Sequence, residues 1–204
     1  MAADQTDEQL MRRFQRGEAR AFETLMLRHR TPIYSFLLRF TGERTRAEDL
    51  VQETFLRLVK GAAAWEPRAS VRTWLYTIAR NLAADAARRQ AFRATDPLDA
   101  PVADGQPPRH APPASTDPAP DEAADAARLR PRLEAALAAL PAEQLEVFLL
   151  REHAGLSFPE IAEATGVNEN TVKSRMRYAL LALRQRLAAE GLVAPAVPPG
   201  STAP

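Results

Sequence analysis

Cysteine is absent from the chain, which rules out a disulfide framework and a thiolate metal site and makes a reducing compartment the natural setting. The three histidines, His29, His110 and His153, are scattered with no second ligand one helical turn away, so no metal site is expected. No uninterrupted apolar run approaches the roughly 20 residues that cross a bilayer. The opening MAADQTDEQLMRR also lacks the basic-then-apolar order of a secretory signal. These absences lead to the expectation of a cytoplasmic protein without membrane insertion. No cofactor is expected, and neither a clustered metal site nor a nucleophile–base pair suggests an enzyme.

What is present is an apolar content of 46% in 204 residues, enough to build one or two small cores. Proline marks the organisation. Nine of the 17 prolines fall between Pro97 and Pro131, and four more close the chain. The stretch 94–125 is Pro, Ala, Asp, Ser and Thr with almost no large apolar residue. Such a composition buries too little surface to offset its ordering entropy, and it reads as a disordered tether. Residues 191–204 read the same way. The expected class is therefore all-α: a helical domain over 6–93, the Pro-rich linker, and a second helical domain over 126–190.

In the first domain, Leu10, Met11 and Phe14 begin a helix that Gly17 ends. Phe22, Leu25 and Met26 mark a second, closing before Pro32, and Ile33, Phe36, Leu37 and Phe40 a third. Thr45 with Glu48 has the form of a capping box, followed by the stripe Leu50, Val51, Thr54, Phe55 and Leu58. Ser70 can cap a further helix whose inner face is Val71, Trp74, Leu75, Ile78 and Leu82.

The net charge of +1 conceals two basic patches. Residues 72–93 carry Arg72, Arg80, Arg88, Arg89 and Arg93 against Asp85, and residues 168–187 carry Lys173, Arg175, Arg177, Arg184 and Arg186 against Glu169. Two separated basic surfaces fit nucleic-acid phosphates, and also fit two ordinary solvated helix faces. The segment SFPEIAEATGVNENTVKSRMR decides for the second patch. Ser157 and Glu160 form a capping box with Pro159 in the first turn, Ala162 permits a close helix crossing, Gly166 supplies a positive-φ turn, and Asn168 caps the next helix. That is a helix-turn-helix, whose second helix places Glu169, Asn170, Lys173, Ser174 and Arg177 toward a major groove. Val172, Met176, Leu180 and Leu183 are expected to anchor it in the core.

In SVRTWLYTIARNLAADAARRQ, Trp74 reads as core, while Tyr76, Thr77, Arg80, Asn81, Asp85 and Arg88 read as the opposite, exposed arc, suited to unstacked bases and phosphates. The acidic face Glu48, Asp49, Gln52, Glu53 and Arg57 reads as a partner-binding surface, since nothing around it would perturb a carboxyl for catalysis.

The ordered series AEDLVQETFLRL, RTWLYTIARNLAADAARR and LPAEQLEVFLLREHAGLSFPEIAEATGVNENTVKSRM resembles the extracytoplasmic-function (ECF) group of bacterial RNA polymerase sigma factors. The resemblance covers both helical domains. It implies that Asp49, Gln52, Glu53 and Arg57 dock on the clamp helices of the polymerase largest subunit. It implies that Tyr76, Arg80, Asn81, Asp85 and Arg88 meet the minus-ten promoter element, with Trp65 and Arg68 in the loop that holds a flipped-out base. Asn170, Thr171, Lys173, Ser174 and Arg177, beside Glu169, would meet the minus-thirty-five element, with the second domain seated on the flap of the other large subunit. It further implies an anti-sigma factor as partner. The alternative, a conventional helix-turn-helix regulator with a sensing or dimerising first domain, leaves the helix at 72–93 and the acidic face without a role.

Overall fold

The computed structural model describes residues 5–95 and 120–194. Eight α-helices account for it, with no strand among the described residues: α1 Asp7–Gln15, α2 Ala19–Thr41, α3 Arg44–Gly61, α4 Val71–Thr95, α5 Pro120–Ala138, α6 Ala142–Glu152, α7 Phe158–Thr165 and α8 Glu169–Ala189. A single 3₁₀ turn, Ala62–Ala64, follows α3.

The first domain is α2 surrounded by α1, α3 and α4. Leu25, Ile33, Phe36 and Leu37 of α2 meet Leu50, Val51, Phe55 and Leu58 of α3, and Val71, Leu75 and Leu82 of α4 close the core. Each such side chain contributes about 1.5–3 kcal/mol on burial. Phe22 links two neighbours, lying 5.1 Å from Phe14 and 6.4 Å from Phe55 between ring centroids. The buried His29 is held by a carboxylate: its Nε2 lies 2.6 Å from Asp7 Oδ2, while Arg28 Nη1 reaches the other oxygen at 2.5 Å.

The second domain packs α5, α6 and α7 on α8. Val147, Leu149, Leu150, Leu156 and Ile161 surround Val172 and Met176, and Ala136, Leu137 and Leu140 of α5 cover Ala179 and Leu183 further along α8.

Four local expectations are corrected. Pro32 does not separate two helices, because α2 runs continuously through it. The lost N–H bond costs about 3 kcal/mol, which the unbroken buried stripe Leu25, His29, Ile33, Phe36, Leu37 on both sides of it outweighs. Thr45 and Glu48 form no capping box. The N-cap is Glu43, with no side-chain cap bond, and Glu48 instead accepts a 2.9 Å bond from Arg44 Nε. A helix also begins inside the expected tether, at Pro120, where proline costs nothing at the first position and an alanine-rich run follows. The rest of that tether, 96–119, lies outside the described residues, as does 195–204. Lastly, Leu180 is 49% exposed and Ala179 fully buried in its place. At 3.6 residues per turn, Leu180 falls about 80° from Val172 around the axis and Ala179 within about 20°.

Candidate nucleic-acid interface and partner surfaces

Three surfaces carry the residues singled out from the sequence. The best formed is the start of α8. Ser157 and Glu160 make a reciprocal capping box at α7, and α7 ends on Gly166 in the left-handed region at φ +72°. Asn168 then starts α8, its Oδ1 accepting from Thr171 N at 2.8 Å and from Thr171 Oγ1 at 3.0 Å. Thr171 is thereby committed to the cap. Asn170, Lys173, Ser174 and Arg177 share one exposed arc beyond it. Glu169 Oε1 holds Lys173 Nζ at 2.6 Å, and the Arg177 guanidinium lies 5.1 Å from the Tyr178 ring centroid. Arg175 is not part of that arc, since its Nη2 pairs with Glu143 of α6 at 2.6 Å.

The second surface is the exposed side of α3. Asp49, Gln52 and Arg57 are solvent-facing, and Glu53, half-buried, accepts from Arg57 Nε at 2.9 Å. Between these polar groups stand Leu56, 53% exposed, and Val59, 41% exposed. Sequence reading missed this pair. In EDLVQETFLRLV the apolar residues outnumber one stripe, and only the packed helix shows which of them are left over.

The third surface is α4 with the loop before it. Gln15 Nε2 donates to the carbonyls of Ala62 and Trp65 at 2.8 and 2.9 Å, and Glu8 Oε1 accepts from Val71 N at 3.3 Å, so α1 fastens both ends of the loop. Ser70 caps α4, accepting from Thr73 N at 3.0 Å. Trp65 is buried, and its indole N–H has no partner among the described residues. It lines a cavity of about 670 Å³ together with Glu66, Arg68, Trp74 and Thr77, whose further wall is Glu163 and Ala164 of α7. Arg68 itself is exposed and paired with Glu66 at 2.9 Å.

Along α4, Asn81 and Arg88 are exposed, and Asp85 is half-exposed and paired with Arg88. Tyr76 departs from the expectation. It is 2% exposed, packed edge-on against Phe36 at 5.3 Å, with its hydroxyl 3.5 Å from the His153 carbonyl of the second domain. Burial pushes its phenol up to about 12 despite the opposing charge of Arg72. The reason is geometric: α4 packs on two sides, against its own domain and against α7 and the α6 end, so its buried arc is wider than a one-sided amphipathic helix would have. Arg80 also faces the second domain, its Nε donating to Glu146 Oε1 at 2.6 Å. Thr73, Glu146 and Glu160 complete this seam, and none was singled out as a contact between domains.

A two-domain helical protein with a helix-turn-helix and polar, partly basic surfaces on both halves is a DNA-binding protein by class. Comparison with known proteins gives the family. Residues 25–93 match the model of Sigma-70 region 2, and residues 130–183 that of Sigma-70 region 4. The ECF RNA polymerase sigma factor SigL of Mycobacterium tuberculosis is 36% identical over 182 residues, spanning 84% of this chain and 91% of SigL. The RNA polymerase sigma factor CarQ of Myxococcus xanthus is 34% identical over 177 residues, 87% of this chain and 95% of CarQ. The chain belongs to the ECF RNA polymerase sigma factors, alternative sigma factors that direct transcription initiation.

Solved structures share the fold. CnrH in complex with the cytosolic domain of CnrY superposes with a TM-score of 0.64 at 24% identity, covering 91% of this chain and 99% of that one. The sigma factor RpoE in complex with the anti-sigma factor NepR from Bartonella quintana gives 0.62 at 23%, covering 83% and 98%. Among the described residues no helix is long and apolar enough to cross a membrane.

Proposed function

We propose that this sigma factor divides its work among the three surfaces. The exposed side of α3, with Asp49, Gln52, Glu53 and Arg57 around Leu56, docks on the clamp helices of the polymerase largest subunit. Trp65, Arg68, Arg80, Asn81, Asp85 and Arg88 engage the minus-ten element, the Trp65 cavity taking an extruded base. Unstacking costs a few kcal/mol per base, so strand opening needs a pocket that rewards the base once out. Asn170, Lys173, Ser174 and Arg177 read the upstream element in a major groove, while the rest of the second domain sits on the polymerase flap. Phosphate contacts position each module and base contacts specify.

The observation that carries this reading is the capped start of α8, which holds four polar or basic side chains on one solvent-facing arc directly after the Gly166 turn. Tyr76, buried as it is, is left out of the DNA-contacting set. An anti-sigma factor is proposed as a further partner, supported by the similarity to RpoE, which was solved with one. The cytoplasm, where polymerase and promoter are, is the proposed location.

The test is reconstitution. Purified protein added to core RNA polymerase free of any sigma factor yields promoter-specific transcripts. A chain that, with no inhibitor present, neither joins core nor starts transcription at defined sites contradicts the proposal.

A further inference from the structure

The helix α1 precedes the stretch matched to Sigma-70 region 2, which begins at residue 25, and it grips the loop between α3 and α4. Its own seat is firm. Leu10 and Met11 are buried, Asp7 is bonded to Arg28 and His29 at the start of the helix, and Arg13 Nη2 meets Glu18 at 2.6 Å beyond its end. Glu8 and Gln15, seven residues apart, project to one side of it.

Gln15 closes this helix with its amide between two backbone carbonyls. Nε2 donates to Ala62 O at 2.8 Å and to Trp65 O at 2.9 Å. Both partners can only accept, so the amide nitrogen and not its oxygen faces them, and both of its hydrogens are used. The two carbonyls flank the 3₁₀ turn Ala62–Ala64, whose closing bond runs from Trp65 N to Ala62 O at 3.1 Å. At the far end of the loop Glu8 Oε1 accepts from Val71 N at 3.3 Å, where α4 begins.

The group held in this way is Trp65. Its indole is buried beside the cavity, and the indole N–H has no partner among the described residues. A desolvated donor gains by turning out to water, and a loop free to rotate would let it do so. Gln15 fastens the Trp65 carbonyl and the start of the turn at once, which withholds that rotation.

We infer that Gln15 is a positioning residue for promoter opening: it keeps the Trp65 indole turned toward the cavity so that the pocket is formed before DNA arrives, with Glu8 bracing the other end of the loop. The inference rests on the reading of that cavity as the seat of an extruded base. A pocket ordered in advance loses less freedom when it is filled, and a base that must leave its stack needs that saving. Gln15 itself touches no DNA; its effect passes through the shape of the loop.

Two measurements on the full chain test this. In a W74F background Trp65 is the single tryptophan. There Q15A is expected to shift the emission to longer wavelength and raise acrylamide quenching several-fold, with helix content by circular dichroism unchanged. E8A moves both readings the same way by less, and E8Q, whose amide oxygen can still accept from Val71 N, leaves them as in the parent. In holoenzyme assembled with core RNA polymerase, Q15A is expected to lower the permanganate reactivity of unpaired minus-ten thymines about tenfold, the equivalent of one to two neutral hydrogen bonds, at unchanged affinity for core. Promoters with an abasic nucleotide at each minus-ten position in turn supply a readout that a merely structural role would not move. At one position the parent falls to the Q15A level, and Q15A falls no further.

Unchanged Trp65 emission and quenching in folded Q15A overturns the positioning role. So does an opening defect of full size on every abasic promoter, which marks a general loss of structure. Should Q15A lose its helices, E8A and E8Q carry the same comparisons, and two indistinguishable proteins overturn the role. If no abasic position costs the parent its opening, the reading of the cavity fails, and the part of Gln15 in opening falls with it.

Discussion

Tyr76 shows at the residue scale how neighbours reset an ordinary group. Its phenol is desolvated by Phe36 and the domain seam, and although Arg72 pulls the other way, burial prevails and holds it near 12. A folded-state pKa raised above the unfolded value of about 10 contributes stability that is complete below 10 and is lost as pH rises through 12. In a Y34F/Y178F background, ultraviolet titration should therefore show the remaining tyrosine ionising together with alkaline unfolding. Ionisation near 10 with the fold intact would mean that Tyr76 is reached by solvent. Gly61 illustrates the opposite case, a residue needed for what it lacks. A Cβ there would lie 2.9 Å from Cζ2 of Trp74, the indole that lines the cavity beside Trp65.

Among the elements, α8 joins two tasks along its length. Val172, Met176, Ala179 and Leu183 fasten it to the rest of its domain, and the first turns project Lys173 and Arg177 outward. Replacing either base with alanine is expected to weaken upstream-element binding by about 1–3 kcal/mol where it contacts a base edge, or to reduce the salt dependence by about one phosphate's worth where it does not. Core association should not change, and a binding titration against core polymerase checks it. An equal loss in both would place that arc on the polymerase instead. The helix-turn-helix was legible in the sequence because its determinants are local: Ser157, Glu160, Gly166 and Asn168 act within three or four residues of their partners. The false capping box at Thr45 fails for the complementary reason, since the same spelling offers Glu48 a competing partner in Arg44 one turn back.

For the whole molecule, Thr73, Tyr76 and Arg80 of α4 all meet the second domain along one seam. If core polymerase must part the domains in order to seat each of them, E146Q and T73V should form holoenzyme faster than the parent at limiting core concentration and give the same transcript yield at saturation. Stopped-flow association read against a transcription assay measures both. Slower association by the two variants would indicate that the packed arrangement of the domains is the one that docks. The bonds concerned span 66 and 87 residues of sequence, from Arg80 to Glu146 and from Thr73 to Glu160, which is why no motif announced them.

The amino-acid sequence by itself determined the all-α class, the order of most helices, the caps of α4, α7 and α8 and the polar arc that follows Asn168, because helix periodicity and capping depend on residues a turn apart. Tertiary structure alone decided which side of α4 meets solvent. That helix carries apolar or polar groups capable of burial nearly all round, and Tyr76 and Arg80 took their places only when a second domain brought Glu146 and the His153 carbonyl to them.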